Sequence, residues 1–190
     1  MLDKSVPYVD VLMVRKSGTE IPVYELPEGF RFALFQDGDQ KAWAKIEASV
    51  LEFDDALDAL LYFQKNYLPY LPELERRCLF IENADGEKVA TSMAWWGYTG
   101  LRRDPWLHWV AVAPRYQRLG LGKAIVSKVM RMTAEIEGDR DFHLHTQTWS
   151  HRAVKIYEKL GFGITFDRNI GMYSNENCEK ALAILRSING

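Results

Sequence analysis

Residues 108–132 read HWVAVAPRYQRLGLGKAIVSKVMRM, and the pattern changes character twice along them. His108 to Ala113 is an apolar, β-branched run that predicts a strand. Pro114 ends it, and a basic loop follows with Arg115, Arg118, Gly120 and Gly122. From about Gly120 towards Glu137 the apolar residues fall at helical spacing.

A helix start offers backbone N–H groups without intrahelical partners, together with the positive end of the dipole. In Gln117–Lys123, residues 118–123 supply such groups, while Gly120 and Gly122 remove side-chain obstruction. The loop therefore reads either as a pyrophosphate cradle or as no more than a tight strand-to-helix turn. No Gly-Lys-Ser/Thr follows a four-residue spacer, which excludes the phosphate loop of nucleoside-triphosphate enzymes. The dinucleotide fingerprint is also missing its third glycine and its acidic strand end.

Working outward, YVDVLMVRKSGTEIPVYEL places two apolar runs around KSGTE and predicts a hairpin extension over residues 1–25. FRFALFQ is a strand. DGDQKAWAKIEASVLEF and DDALDALLYFQKNYL are amphipathic helices, the second stopped by Pro69 and Pro72. RCLFIE and KVATSMAWWGYT are strands joined at an Asp-Gly turn. After the opening stretch come a strand in DFHLHTQTW, a short helix from Ser150 to Gly161, two strands in GITFDRNIGMYS and a C-terminal helix over 176–190. Strands outnumber helices and alternate with them only in part, which predicts a single mixed α/β domain over residues 1–190 with helices on the sheet's faces.

Composition is that of an ordinary globular chain: 190 residues, 47% hydrophobic, 26% charged, formal net charge -2. That balance excludes nucleic acid as a bulk electrostatic partner. Cys78 and Cys178 lack metal or CxxC spacing and read as thiols in a reducing compartment. The first residues carry charges within a short apolar run, unlike a signal peptide, and no stretch approaches the roughly 20 apolar residues of a membrane span. A cytoplasmic location without membrane association is expected.

Two motifs in order carry a resemblance. WVAVAPRYQRLGLGKAIV contains Gln117, Arg118, Leu119, Gly120, Leu121 and Gly122, and HTQTWSHRAVKIYEKLGF contains Ala153, Tyr157, Gly161 and Phe162. Over roughly residues 76–174 the chain resembles the GCN5-related N-acetyltransferase (GNAT) superfamily. The resemblance implies an acyl-CoA N-acyltransferase fold with a splayed, mostly antiparallel mixed sheet, and acetyl-CoA as co-substrate without a metal. The coenzyme would lie in the splay, its pantetheine beside Val110, Ala111 and Val112 and its pyrophosphate on Gln117–Lys123. Ala153 and Ser150 would border it; many members carry Asn where this chain has Ser150, which caps a helix equally well but reaches less far.

Acyl transfer from a thioester to an amine requires a neutral amine, a stabilised oxyanion and a protonated leaving thiolate. By the resemblance Tyr157 is the thiolate's acid and the Val110 N–H the oxyanion donor. His108 is the candidate base: an imidazole titrates near neutrality, and it shares a strand face with Val110 unless a bulge intervenes. LHWVAV is also similar to the arylalkylamine N-acetyltransferases, which carry a histidine on this strand. His143 and His145 share one strand face without the further ligands a metal needs, and His145 is the reserve base.

Trp95, Trp96, Tyr98, Phe53, Tyr62, Phe63, Tyr67 and Tyr70 are candidates for an acceptor pocket or for core. Glu47, Glu52, Asp54, Asp55 and Asp58 either attract a cationic amine or form a solvated helix face. The expected activity is acetylation of a primary amine on a small molecule. Acetylation of a protein or peptide amine and a silent acyl-CoA-binding module are the alternatives. The C-terminal helix covers the sheet or forms a homodimer contact.

Overall fold

The structure, a computed structural model, describes residues 2–167 and 169–189. Its strands are β1 (Asp10–Arg15), β2 (Arg31–Leu34), β3 (Cys78–Glu82), β4 (Lys88–Thr99), β5 (Arg102–Val112), β6 (Phe142–Gln147), β7 (Gly163–Ile164), β8 (Asn169–Ile170) and β9 (Tyr173–Ser174). Its helices are α1 (Gln40–Ser49), α2 (Ala56–Asn66), α3 (Leu71–Arg77), α4 (Leu121–Glu137), α5 (His151–Lys159) and α6 (Cys178–Asn189). Seven strands form one sheet in the order β2-β3-β4-β5-β6-β1-β7, and β8 and β9 form a separate small hairpin. Every pairing in the large sheet is antiparallel except β5 with β6. The expected mixed, mostly antiparallel sheet with helices on its faces is what forms.

Strand alternation divides the core in two. Leu79 and Ile81 of β3, with Ala90 and Ala94 of β4, face Leu121, Ile125 and Val129 of α4. Phe80 of β3 and Met93 of β4 face the opposite side, where Trp43 and Ile46 of α1 and Phe63 of α2 cover them. At the C-terminal end of α4, Glu137 would oppose the helix dipole, but Arg77 and Arg103 each reach its Oε1 at 2.7 Å.

The hairpin expected over residues 1–25 does not form. β1 lies between β6 and β7 instead, with Asp10–Arg15 opposite Gln147–Phe142 and Met13 opposite Ile164. Both edges of β1 are therefore occupied, and Pro22 has no N–H to offer a ladder. Residues 21–26 lie against α4: the Ser127 hydroxyl donates to the Pro22 carbonyl, and the Lys123 ammonium sits 4.6 Å from the centre of the Tyr24 ring. Asp141 accepts from Ser17 N–H at 3.0 Å and Asp139 from Gly18 N–H at 2.6 Å, closing the turn after β1.

Other differences are local. β5 begins at Arg102 rather than His108, because the Asp104–Pro105 segment continues the long hairpin with β4. Pro69 and Pro72 do not end helical structure; each sits at the start of a new turn, and α3 follows. The apolar stripe of α6 covers the sheet, burying Ala181 and Leu185 with the β1 side of the core. No helix of the described residues is long and apolar enough to cross a membrane.

Because β1 is an interior strand, it is expected to stabilise the domain. Met13, fully buried, makes a sharper probe than Val23, which is 56% exposed on the following segment. Met13→Ala should cost about 2–5 kcal/mol, and Val23→Ala no more than about 0.5 kcal/mol, by urea unfolding. A Met13→Ala cost equal to that of Val23→Ala would mean β1 is peripheral.

Candidate functional site

The site begins where β5 and β6 stop pairing. Only Trp106–His143 and Leu107–Leu144 are in parallel register. On its other side β5 also leaves regular pairing: Thr91 opposes Ala111 and Met93 opposes His108, leaving Trp109 and Val110 outside the ladder. Trp109 takes φ 51°, a left-handed conformation costly for a large side chain. A bulge therefore does separate His108 from Val110, and yet both line the space between the parted strands.

That space holds two adjoining cavities, of about 460 and 440 Å³. Leu2, Glu52, Val110, Ser150 and Ala153 belong to the walls of both, which makes them the junction. The second cavity runs along Ala111 and Val112 to Gln117, Arg118, Leu121 and Gly122. Gln117 Nε2 donates to the Val112 carbonyl at 2.9 Å, tying the loop to β5. Arg118 (φ 68°) and Gly120 (φ 85°) are both left-handed, and Gly120 is the N-cap of α4. From Arg118 to Lys123 no N–H donates to a backbone carbonyl among the described residues; the next one, Ala124 N–H, bonds the Gly120 carbonyl. A Cβ on Gly122 would stand 3.6 Å from Ile156 and 3.8 Å from Val112, so a longer side chain there would enter the groove. Gly120 and Lys123 face a smaller side cavity of about 220 Å³ with Arg118 and Lys159, while Leu119 points to solvent. Unpaired N–H groups, glycine and cationic side chains form a donor set suited to a pyrophosphate.

The first cavity has a different chemistry. His108 Nδ1 lies 2.8 Å from Tyr67 Oη, and Trp109 Nε1 donates to the same hydroxyl at 2.6 Å. With one lone pair of Tyr67 taken by the indole, its own proton is directed to His108 Nδ1, and the imidazole carries its hydrogen on Nε2. Burial, with a smaller contribution from His145, pushes the His108 pKa down to about 4. Tyr157, on the buried face of α5, also lines this cavity; burial and then the carboxylates of Glu52 and Glu47 push its hydroxyl pKa up, so it holds its proton. His145 reaches the cavity too, with Nε2 at 2.8 Å from Asp10 Oδ1 and its ring stacked 4.0 Å from that of Tyr173.

Among the remaining candidates the structure is selective. Ser150 occupies the N-cap of α5 but makes no capping hydrogen bond; its role is at the junction of the cavities. His143 turns away from the cavity and packs against Trp106 with Nδ1 unpartnered. Among the described residues no group of three or more His, Cys, Asp or Glu is placed to hold a metal. Tyr62 and Tyr67 line the first cavity, whereas Phe63 and Trp95 are core and Trp96 lies between Arg77 and Arg103. Tyr98 is exposed, Phe53 stacks on Trp109, and Tyr70 packs on Trp95 and Trp96. Of the acids, Glu47, Glu52 and Asp54 reach the cavity; Asp55 caps α2 through Leu57 and Asp58 N–H, and Asp58 is exposed.

Glu47 is the residue sequence reasoning undervalued. It is only 1% exposed, and burial followed by Glu52 holds its carboxyl well above the usual carboxylate range. A signal was present, since Trp43, Glu47 and Val50 fall on one helical stripe. Tyr67 likewise continues the stripe of Ala59 and Phe63. The contribution of Leu2, Lys4 and Tyr8 to the cavity wall had no such signal.

Comparison with known proteins places the chain among acetyltransferases. An N-alpha-acetyltransferase of Sulfurisphaera tokodaii is 31% identical over 104 residues, which are 50% of this chain and 62% of that protein. A GCN5-related N-acetyltransferase from Sphaerobacter thermophilus superposes with a TM-score of 0.65 at 21% identity, over 84% of this chain and 49% of that one. Glucosamine-6-phosphate N-acetyltransferase from Arabidopsis thaliana gives a TM-score of 0.52 at 18% identity, over 77% of this chain and 98% of that one. This chain thus spans about half the length of the Sphaerobacter structure and less than two thirds of the Sulfurisphaera protein. The profile of the Acetyltransferase (GNAT) family matches residues 26–162, from just before β2 to the end of the turn after α5, and the chain belongs to that family.

Proposed function

We propose that the chain is an acetyl-CoA-dependent N-acetyltransferase acting on a primary amine of a small molecule. The observation that carries this is the junction of the two cavities at Val110, Ser150 and Ala153. On one side lies a groove of unpaired N–H groups for a pyrophosphate, on the other a space with a proton donor and a proton acceptor.

When bound, acetyl-CoA supplies an activated acetyl thioester. Residues 118–123 and Arg118 hold its phosphates, and Val110, Ala111, Val112 and Ala153 form the walls along its arm. The Val110 N–H, free of the β ladder, polarises the acyl oxygen. As the new C–N bond forms and the C–S bond breaks, the amine's proton passes through the Tyr67 hydroxyl to His108 Nδ1, and the Tyr157 hydroxyl gives its proton to the sulfur. A second reading, acetylation of a peptide's terminal amine, draws on the 31% identity to the N-alpha-acetyltransferase of Sulfurisphaera tokodaii. Free-thiol release across a panel of small amines and short peptides separates the two.

Three outcomes are expected. Acetyl-CoA should raise the melting temperature, because it binds the native state alone. Gly122→Leu should abolish most of that shift and Gly122→Ala should keep it, since only the longer side chain obstructs the groove; equal shifts in both variants would move the phosphates elsewhere.

Tyr157→Phe should retain coenzyme binding and lose turnover by about 10²–10⁴-fold, followed by thiol release under single-turnover conditions. Turnover at the unmodified rate would remove Tyr157 as the acid.

His108 governs acid sensitivity. Its folded pKa of about 4 lies below the ordinary 6.5, so between these values the unfolded chain binds more protons, and stability falls as pH drops from 6.5 towards 4. The loss from this group at pH 5 is up to about 2 kcal/mol. His108→Gln should therefore narrow the stability difference between pH 7 and pH 5 in urea titrations, and remove any acidic limb near pH 4 from the rate profile. A His108→Gln protein with an unchanged pH 7-to-5 difference would show that the imidazole titrates normally.

A further inference from the structure

The acceptor cavity holds more acid than one proton transfer needs. Proton removal from the attacking amine is assigned above to Tyr67 and His108, yet Glu47, Glu52 and Asp54 also face the same space. Among the cavity's described walls the only lysine or arginine is Lys4. Glu47 is the telling member. It is buried, its Oε1 has no hydrogen-bond partner among the described residues, and it nevertheless belongs to the cavity wall. A buried carboxyl without a partner is destabilising, by the full desolvation of the group. Apolar neighbours alone would favour a leucine at this position of the α1 stripe. The unmet partner is therefore sought in the ligand.

The surroundings of Glu47 specify what that partner is. Tyr62, Tyr67 and Trp109 pack against one another with ring centres 5.2 Å (Tyr62–Trp109) and 6.2 Å (Tyr62–Tyr67) apart, and all three border the cavity. Aromatic faces and carboxylates together favour an alkylammonium. With no arginine in the wall among the described residues, nothing there is built to receive a carboxylate or phosphate on the acceptor.

We propose that the acceptor is an α,ω-diamine or longer polyamine, whose non-reacting ammonium pairs with Glu47 and Glu52 while the other amine is acetylated. This rests on the acetyltransferase reading and names its substrate class. The transfer chemistry is unchanged: one nitrogen gains the acetyl group and loses a proton to Tyr67–His108, and the second nitrogen stays protonated.

The test compares three acceptors of one length that differ at the far end: butane-1,4-diamine, butylamine and 4-aminobutanoate. Thiol release from acetyl-CoA should show kcat/KM falling about tenfold or more from diamine to butylamine, and further for the anion. Glu47→Gln should bring the diamine to within about threefold of butylamine, because the amide keeps the shape and loses the charge. Should Glu47→Gln lose its cooperative melting transition, Glu52→Gln supplies the same comparison. Butylamine matching the diamine, a preference that survives both substitutions, or a peptide amine outcompeting all three would each overturn the diamine site while leaving acetyl transfer intact. If no amine releases thiol, the acetyltransferase reading fails separately, and titration calorimetry with butane-1,4-diamine then decides. Binding that weakens in the glutamine variant supports the cation site, and absence of heat overturns it.

Discussion

The interaction on which this structure turns is one that stops: β5 and β6 pair through two residues each and then part. Backbone groups buried without partners are costly, so two adjacent strands do not separate inside a core without cause. Here each strand has another neighbour. β5 is held along most of its length by β4, and β6 along all of its length by β1. The bulge at Trp109 and Val110 then turns β5 locally, with Trp109 fixed in a left-handed conformation by its packing against Trp43, Phe53 and Tyr62 and its hydrogen bond to Tyr67. The same packing that pays for the strained residue positions His108 through Tyr67. Strain, cavity and the placement of His108 are thus one arrangement.

The N-terminal strand has a larger part than its position outside the family profile suggests. By pairing with all of β6 on the edge away from β5, it holds that strand in the sheet where β5 and β6 part. It also brings Asp10 to His145 and Tyr8 to the cavity wall, and Tyr8 donates to Asp10 at 2.9 Å. Residues 3–7 continue over α5, where Trp149 Nε1 donates to the Val6 carbonyl and Asp3 meets His151. The segment before residue 26 therefore both completes the sheet and contributes Tyr8 to the wall of the first cavity.

Local chemistry made much of this legible beforehand. Gln117–Lys123 could be placed as a helix start with free N–H groups because glycine spacing and helical periodicity are short-range properties. The stripe of α5 that carries Tyr157 was visible for the same reason. What stayed hidden depended on pairing at long range. KSGTE is as good a hairpin turn as many, and only the fact that both edges of β1 are taken by β6 and β7 prevents the second strand. With its acidic neighbours, Glu47 suits either the attraction of a cationic amine or a solvated helix face, since charge alone does not reveal that this position of α1 is buried. The bulge that separates His108 from Val110 is invisible in HWVAV, because it arises from register with β4.

The two cavities also differ in sign, although the chain as a whole is nearly neutral at -2. The groove side has Arg118 and Arg152 with unpaired N–H groups, and the smaller cavity beside it adds Lys123 and Lys159. The first cavity has Glu47 and Asp54 together with Lys4, and Glu52 lines both. Charges this close act within a Debye length, about 8 Å at physiological salt, and the protein between them screens far less than water. Under the proposed acetyl transfer, the more basic groove would favour the polyanionic coenzyme and the more acidic cavity a cationic amine. Near-neutrality of the whole chain thus conceals an uneven distribution of charge across the splay, with Glu52 at the seam where the two linings meet.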